Sequence, residues 1–220
     1  MKIQRISLSD FQEMSRDSQC LSRDSYGDKV LLTKENIVYK IFRRKRLVSS
    51  ALFFPYAVRF YKNAKRLKTL GIPTVDVQKI FYIHDWKRHV VVYPALPGVT
   101  LREKLKESSD YAFWIGLFLD MLYKLHEKGI YYRSLHFGNI FLKEDGTMAL
   151  IDISDMLFRP WSLWLSSRAK NFRHFLRYSE DIACLKEYGW KKFVEEYMNR
   201  SAFSEKQKKR FVELVGKLVD

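Results

Sequence analysis

Acidic residues are missing from two long stretches of this 220-residue sequence, and their absence sets the character of the chain. The sequence has 40 lysines and arginines against 25 aspartates and glutamates, a formal net charge of +15. No acid occurs between Glu35 and Asp76, or within residues 157–178. Ordinary surfaces intersperse both signs of charge, so this depletion favours a polyanionic partner such as nucleic acid, an anionic membrane face or a phosphorylated glycolipid. The alternative is solvated surface charge.

Cysteine and long apolar runs are also scarce. Cys20 and Cys184 are the only two thiols and lack the paired spacing of a metal site, which favours buried side chains in a reducing compartment. The N-terminus lacks the apolar core of a signal peptide. The longest apolar run, residues 112–125, is too short to span a bilayer and includes Asp120. We therefore expect a cytoplasmic protein, and leave open peripheral contact with the inner membrane.

The first part of the chain is predicted to be rich in β-structure. Residues 30–32 and 37–42 are apolar runs on either side of a polar turn, which is a hairpin signal. Gly27 lies in a tight loop just upstream. Lys40 lies inside the second run, where burying an unpaired ammonium is costly. Exposure to water on an edge strand is one explanation for that lysine.

The pattern then changes from strand to helix. Apolar residues at positions 54, 57, 61, 64 and 67 predict a helix over residues 50–70 whose opposite face is basic. Two strands, residues 75–83 and 89–93, follow it. From residue 96 the chain reads as mostly helical, beginning with a capping box at Thr100 and Glu103. We predict an α+β protein with a β-rich unit at residues 1–95 and a helical unit at 96–220.

Residues 129–142 and the ten residues after them contain the best candidates for metal binding and catalysis. Ser134, His136 and Asn139 lie in a loop that leads into a short predicted hairpin, and the hairpin ends at Asp152. Amide and carboxylate oxygens are hard ligands, which suit Mg²⁺ bridging the phosphates of a nucleotide. Asp155 is equally consistent with a second metal ligand, a base or a polar turn residue.

This stretch resembles the catalytic loop and metal-binding strand of the protein-kinase-like fold. It is most similar to the Kdo/heptose kinases of lipopolysaccharide core assembly, including the toluene-tolerance group, whose loop reads roughly H-G-D-x-H-x-x-N. Residues 132–139, YRSLHFGN, fit that frame with Ser134 at the position of the catalytic aspartate. No acid occurs between Glu127 and Glu144, so no shift of the alignment supplies one. The resemblance covers about residues 20–185.

The resemblance implies a bilobal fold that binds ATP and Mg²⁺, with a small β-rich N-lobe and a mostly helical C-lobe. It implies that Asn139 and Asp152 are the metal ligands. Lys40, in a strand similar to the kinase Val-Ala-Ile-Lys strand, would hold the phosphates. The helix of residues 50–70 has no glutamate to pair with that lysine, and Asn63 is its nearest polar substitute. The residues implied in nucleotide binding are Lys40, Gly27, Asn63, Tyr93 and Ala95, the last two at the hinge, while Gly27 fits an ordinary turn equally well.

Several polar residues have alternative roles that the sequence leaves open. Ser134 cannot accept a proton at neutral pH, but its hydroxyl can orient a sugar alcohol. His136 or Asp155 would then be the base, although His136 also fits a hydrogen bond that braces the loop. Asp181 either braces the loop backbone or is an exposed acid in the first turn of a helix. The predicted substrate-binding residues are Arg168, Arg173 and Arg177, and a second basic surface begins with residues 43–46.

Three functions are consistent with these residues. The first is an ATP-dependent phosphotransferase that acts on a hydroxyl of an anionic sugar or glycolipid. The second is a pseudokinase that serves as a scaffold or regulator in envelope assembly, because the loop lacks its aspartate. The third is a nucleic-acid binder, which would require a strongly salt-dependent affinity. Phosphotransfer assays separate the first two functions.

Overall fold

Strands dominate the first half of the chain and helices the second half. The computed structural model describes residues 1–43 and 55–216, and it divides into two units, Met1–Pro97 and Gly98–Asp220. Within those described ranges the chain is α+β, with a mixed six-stranded sheet and eight α-helices, so the predicted class is confirmed. The predicted basic run at residues 44–46 and the predicted helix start at residues 50–54 lie outside the described residues.

The first unit is built on the six-stranded sheet. Its strands are β1 (Gln4–Ile6), β2 (Gln19–Asp24), β3 (Gly27–Leu32), β4 (Ile37–Arg43), β5 (Lys79–Ile83) and β6 (Arg88–Pro94). Their order is β1-β5-β6-β4-β3-β2, in which β1 pairs with β5 in parallel and the other pairs are antiparallel. The predicted hairpin is β3–β4, with Leu31 opposite Tyr39.

Each face of this sheet carries one helix. Helix α1 (Leu8–Ser15) begins at a capping box formed by Ser7 and Asp10, and it buries Phe11 against Tyr39 and Ile41. Helix α2 (Tyr56–Thr69) covers the opposite face, where its Phe60 packs against Phe42 of β4. Phe42 lies on that face because neighbouring residues of a strand point to opposite sides of the sheet. The predicted helical periodicity is therefore present in α2, over the part of it that the structure describes.

The second unit is mostly helical. Its helices are α3 (Leu101–Glu107), α4 (Tyr111–Glu127), α5 (Leu165–Phe172), α6 (Ser179–Tyr188), α7 (Trp190–Arg200) and α8 (Glu205–Gly216). The predicted capping box at Thr100 and Glu103 starts α3. Phe118 of α4 lies at the centre of the core, with its ring 5.2–6.3 Å from those of Phe137, Phe175 and Phe193. No helix within the described ranges combines the length and apolar character needed to cross a bilayer.

Two small sheets complete this unit. The strands are β7 (Val99–Thr100), β8 (Ile130–Tyr132), β9 (Ile140–Leu142), β10 (Met148–Leu150) and β11 (Met156–Phe158). Strand β9 lies between β10 and β7, and β11 pairs with β8. These pairings fix both ends of the loop at residues 133–139, because β8 enters the loop and β9 leaves it.

Gly129 joins α4 to β8 at a point where a side chain has no room. Its φ is +70°, and a Cβ there would lie 2.3 Å from the Trp161 carbonyl oxygen and 2.4 Å from that of Arg159. Gly146, in the β9–β10 turn, has a similar φ of +79° but open space around it. A substitution at Gly146 therefore tests backbone strain alone, whereas a substitution at Gly129 tests strain and steric overlap together.

We expect Gly146→Ala to lower the free energy of unfolding by about 1–2 kcal/mol, which is the cost of a left-handed residue with a Cβ. Gly129→Ala should lower it by clearly more, because the backbone carbonyls of residues 159 and 161 must also move. Chemical denaturation of both variants measures the difference. Equal losses would show that the segment after β11 yields at little cost.

Candidate functional site

The loop at residues 133–139 is held at its N-terminal end by Asn171 of α5. The Asn171 side-chain amide donates a hydrogen bond to the Tyr132 carbonyl at 2.7 Å, and its Oδ1 lies 3.0 Å from Nε2 of His126. Both Asn171 and His126 are fully buried, so hydrogen bonding to fixed partners compensates their removal from water. Strand β8 is thus attached to α4 and α5 just before the loop begins.

Asn139 lies at the other end of the loop, and its side chain has a defined orientation. The Asn139 amide nitrogen donates to the Ser134 carbonyl at 2.8 Å. Since a carbonyl can accept only from the nitrogen, Oδ1 is the atom that can accept a hydrogen bond or bind a cation. The Asn139 backbone carbonyl accepts from the Ile151 N–H at 3.1 Å. This bond joins the loop to the residue before Asp152.

Asp152 has an unusual backbone conformation. It follows β10 with φ 52° and ψ 48°, in the left-handed region, and precedes a 3-10 turn, Ile153–Asp155. Such a conformation costs on the order of 1–2 kcal/mol in a residue with a Cβ, and such strain concentrates at functional sites. The neighbouring Tyr132 hydroxyl donates to the Ile151 carbonyl. Burial raises the pKa of Tyr132 well above its usual value, and the Asp152 charge raises it further, so this donor stays protonated.

The middle of the loop is held by Asp181 at the start of α6. Asp181 is fully buried; its Oδ2 accepts from the Phe137 N–H at 2.8 Å and its Oδ1 from Arg102 Nε at 2.7 Å. Of the two roles left open by the sequence, the geometry is that of the brace. Arg102 itself has a second carboxylate neighbour in the exposed Glu180, at 3.3 Å.

His136 is held by the same arginine. Arg102 Nη2 lies 3.3 Å from His136 Nδ1, and because a guanidinium only donates, Nδ1 is the acceptor and the proton belongs on Nε2. The His136 ring also packs against that of Tyr178, with centroids 4.1 Å apart. Burial lowers the pKa of His136 to about 4. His136 is therefore neutral with its basic nitrogen engaged, which favours the bracing role over that of a base.

The remaining predicted catalytic residues are accessible. Ser134 is half-buried, and its backbone carbonyl holds Asn139. Asp155 is half-buried at the end of the 3-10 turn that follows Asp152. Within Gly98–Asp220, the structure therefore brings Ser134 and Asn139 together directly, and it places Asp152 one residue from the backbone bond to Asn139.

Arg168 differs from the expectation that it binds substrate. Only 4% of it is exposed, and its guanidinium pairs with Glu127 and donates to the Leu163 carbonyl at 2.8 Å and to the Tyr197 hydroxyl at 3.2 Å. Arg168 is thus a buried structural residue, whose carboxylate partner lies outside the acid-free segment. The other two arginines of that prediction, Arg173 and Arg177, are exposed.

The predicted nucleotide-binding residues of Met1–Pro97 lie on or beside the six-stranded sheet. Lys40 is on β4, between β3 and β6, so the edge-strand explanation is wrong. Its Nζ lies 5.6 Å from the ring centroid of Phe60 on α2, and Asn63 is half-buried on the same helix. Gly27 opens β3 with a φ of +112° and lines a cavity of about 520 Å³ beside α1.

Tyr93 and Ala95, which were predicted to form a hinge, have well-defined surroundings. Tyr93 is buried and stacks on Phe60, with ring centroids 5.7 Å apart. The Ala95 N–H donates to the Asn36 carbonyl at 2.7 Å. Since that N–H is engaged, the carbonyl is the backbone group of Ala95 that can contact a bound base.

The donor set fits a magnesium ion that is shared with a nucleotide. Among the described residues, no group of three His, Cys, Asp or Glu side chains is arranged to hold a metal. Asn139 and Asp152 would supply two oxygen ligands. Mg²⁺ commonly takes one or two protein ligands and completes its shell with waters and substrate phosphates.

Of the residues that hold the loop from outside, Asp181 was named as a brace in the sequence analysis, whereas Arg102 and Asn171 were not found from the sequence. Arg102 and Asp181 are 79 positions apart. Asn171 lies on α5, where the periodicity of the sequence identifies only the apolar residues. The acid pair at residues 180 and 181 was the available local signal for α6, but it did not identify the arginine partner.

No protein-family model matches the sequence, and no curated protein matches it.

We expect Asp181→Ala to destabilise Gly98–Asp220 by about 3–5 kcal/mol, because it removes the buried partner of Arg102, which keeps only the exposed Glu180, and leaves the backbone N–H of Phe137 unpaired. Chemical denaturation measures this loss. The control is Glu180→Ala, which removes the neighbouring, exposed carboxylate and should have a much smaller effect, since water and salt screen its charge. If both variants lost the same stability, Asp181 would not be the residue that braces the loop.

Proposed function

We propose that this chain is a nucleotide-binding phosphotransferase of the bilobal protein-kinase-like fold, related to the lipopolysaccharide core kinases. The observation that carries the proposal is the arrangement of Asn139 and Asp152. The first has its amide oxygen oriented by the Ser134 carbonyl, and the second follows a residue that is bonded to the Asn139 backbone. Two hard oxygen ligands at the ends of a braced loop and an adjacent strand suit Mg²⁺ on nucleotide phosphates.

The order of elements along the chain supports this proposal. A mixed sheet with Lys40 on an interior strand comes first, then the segment at Tyr93 and Ala95, and then the helical unit with its loop. Lysine is a suitable phosphate ligand because its ammonium is a compact charge with three donors. In the proposed protein, Lys40 holds the phosphates of ATP and the hinge backbone contacts the adenine.

The chain's own residues would divide the work of phosphoryl transfer. Bound Mg²⁺ neutralises charge on the phosphates. Asn139 and Asp152 hold the ion, and the Ser134 hydroxyl orients an acceptor hydroxyl by hydrogen bonding. General-base help is worth on the order of 10²–10⁴ in rate. Since Nδ1 of His136 is engaged by Arg102, Asp155 is the better candidate for that role.

The proposed acceptor is an anionic sugar or glycolipid at the cytoplasmic face of the inner membrane. Trp161 and Trp164 are 55% and 71% exposed, within the segment that contains no acid. Exposed tryptophan beside arginine and lysine suits stacking on sugars or contact with a membrane interface. A positively charged surface of this kind also admits nucleic acid, which is the weaker candidate because no recognised motif accompanies it.

A pseudokinase is the second candidate function, and one observation favours it. Ser134 occupies the loop position of the catalytic aspartate, and His136 is engaged in bracing. A chain that retains the metal and phosphate ligands but has no base would bind a nucleotide without turnover, and would act as a scaffold or regulator in envelope assembly.

We expect ATP with Mg²⁺ to stabilise the wild-type chain by about 2.7 kcal/mol when the nucleotide is at a hundred times its dissociation constant. Asp152→Asn should lose the Mg²⁺-dependent part of this gain, because it removes the charge that attracts the ion. Glu144→Gln, an equal change of charge at an exposed turn, should keep the full gain. Thermal unfolding with and without Mg²⁺ measures all three proteins. An undiminished gain in Asp152→Asn would contradict the proposed metal site.

We expect Ser134→Asp to raise phosphotransfer to core oligosaccharide acceptors by a factor on the order of 10² or more, because it supplies a general base. Ser109→Asp adds the same charge at an exposed position outside the acid-free segment and should leave the rate unchanged. Transfer of radiolabelled phosphate from ATP measures the rates. Wild-type turnover that Asp152→Ala abolishes would exclude the pseudokinase, whereas turnover seen only in Ser134→Asp would exclude the wild-type enzyme.

A further inference from the structure

The arginines of Gly98–Asp220 fall into two groups. Four have carboxylate partners: Arg102, Arg168, Arg200 and Arg210. Arg133, Arg159, Arg173 and Arg177 are exposed and, among the described residues, form no ion pair. Half of the eight arginines of this unit are therefore neutralised locally, and the other four lie beside the loop or in the segment that contains no acid. Arg159 is not among the charges that act on Tyr131 and His174, which sets Arg133, Arg173 and Arg177 apart.

The contact between Tyr131 and His174 joins the two segments that carry these three arginines. Arg133 directly follows β8, two residues after Tyr131, while Tyr132 is buried in the core. The Tyr131 hydroxyl lies 3.2 Å from His174 Nε2, with the two rings in an edge-to-face contact. Arg173 directly precedes His174. Arg177 follows it through a 3-10 turn, Phe175–Arg177, four positions after Arg173.

The charges of all three arginines reach this pair of side chains. Burial raises the pKa of the Tyr131 hydroxyl, and Arg133, Arg177 and Arg173 oppose that rise. Burial, together with the charges of Arg177 and Arg133, lowers the pKa of His174 to about 4. The imidazole is therefore neutral at physiological pH, and the positive charge around it has no compensating anion among these groups.

His174 also has a polar atom that lacks a partner. The residue is only 6% exposed, and its Nδ1 is buried and makes no hydrogen bond to any residue that the structure describes. Leaving such an atom unsatisfied costs about 1–3 kcal/mol. Buried polar atoms in native proteins nearly always have a partner, so an orphan beside three unpaired guanidiniums calls for an explanation. A bound anion would compensate the charge and would give the imidazole a polar neighbour.

We propose that Arg133, Arg173 and Arg177 form a binding site for a phosphate monoester dianion. Guanidinium groups match phosphate oxygens in a bidentate geometry, and three of them without carboxylate partners leave the charge available to a ligand. Arg133 directly precedes Ser134, so the site adjoins the loop that orients the acceptor. The assignment of this phosphate to the acceptor rests on the proposed function, whereas binding of phosphate itself does not.

The phosphate could come from a soluble sugar phosphate or from a lipid headgroup. Both present a phosphate monoester, so the arginines would bind them alike, and the sources differ in what surrounds that group. A soluble ligand binds with the same affinity in the absence of a bilayer. A lipid phosphate binds only where vesicles display it.

The test is titration of inorganic phosphate and of a hexose 6-phosphate into the whole chain, without nucleotide or Mg²⁺, by isothermal calorimetry. Arg133→Gln, Arg173→Gln and Arg177→Gln should each weaken binding about tenfold or more, since each removes a charge-assisted hydrogen bond. Arg159→Gln is the matched control, because it removes an exposed arginine of the acid-free segment that lies outside the cluster. It should change the affinity little.

A spectroscopic readout localises the ligand. Phosphate should shift the ring resonances of His174 in the wild-type chain and should not do so in Arg133→Gln. Equal affinity in all four variants, or shifts that spare His174, would overturn the site. Binding of a single-stranded oligonucleotide would also overturn the site if Arg159→Gln weakened that binding as much as the other three variants do. Equal weakening would indicate that the oligonucleotide responds to diffuse positive charge.

Binding to vesicles distinguishes the two sources of phosphate, and the Asp152→Asn variant distinguishes this site from the proposed nucleotide site. The phosphate would be assigned to lipid by two results together. The wild-type chain would bind vesicles that contain phosphatidic acid but not vesicles of phosphatidylcholine alone, and the three variants would abolish that binding. Asp152→Asn should lose Mg²⁺-dependent nucleotide binding and retain phosphate binding, while Arg133→Gln should do the reverse. Loss of only one of these activities therefore identifies which proposal has failed.

Discussion

The loop at residues 133–139 depends on a single carboxylate. Asp181 accepts the backbone N–H of Phe137 with one oxygen and the guanidinium of Arg102 with the other. Arg102 in turn fixes His136, so one buried acid sets the path of the loop and the orientation of its histidine. Asn139 then has a fixed carbonyl, that of Ser134, to hold its amide. The orientation of Asn139, one of the two proposed metal ligands, follows from this bond.

Local sequence patterns predicted the helices and strands well, but they could not predict the long-range contacts between them. The capping box at Thr100 and Glu103, the β3–β4 hairpin and the strand leading to Asp152 are all present, because each depends on neighbouring residues. The pairing of Arg102 with Asp181 joins α3 to α6 and leaves no periodic signal in either helix. Asn139 and Asp152 could be singled out as candidates because a short hairpin links them in sequence.

Net charge was informative about the chain and uninformative about single arginines. The acid-free segment of residues 157–178 was expected to be a binding surface, yet it contains both the buried Arg168 and the exposed Arg173 and Arg177. Their difference is set by Glu127, which lies on α4 and neutralises Arg168 across the core. A count of charges within a segment cannot include a partner that the fold supplies from elsewhere.

The left-handed backbone at Asp152 has a consequence for how such a protein can change. Only glycine, asparagine and aspartate adopt that conformation readily, so most substitutions would disturb the chain path as well as the chemistry. Asparagine is the exception, since it has the same shape without the negative charge. If the proposed metal site is present, a lineage could therefore lose it through this one exchange and keep its architecture, which would make the step from catalyst to scaffold a short one at this position.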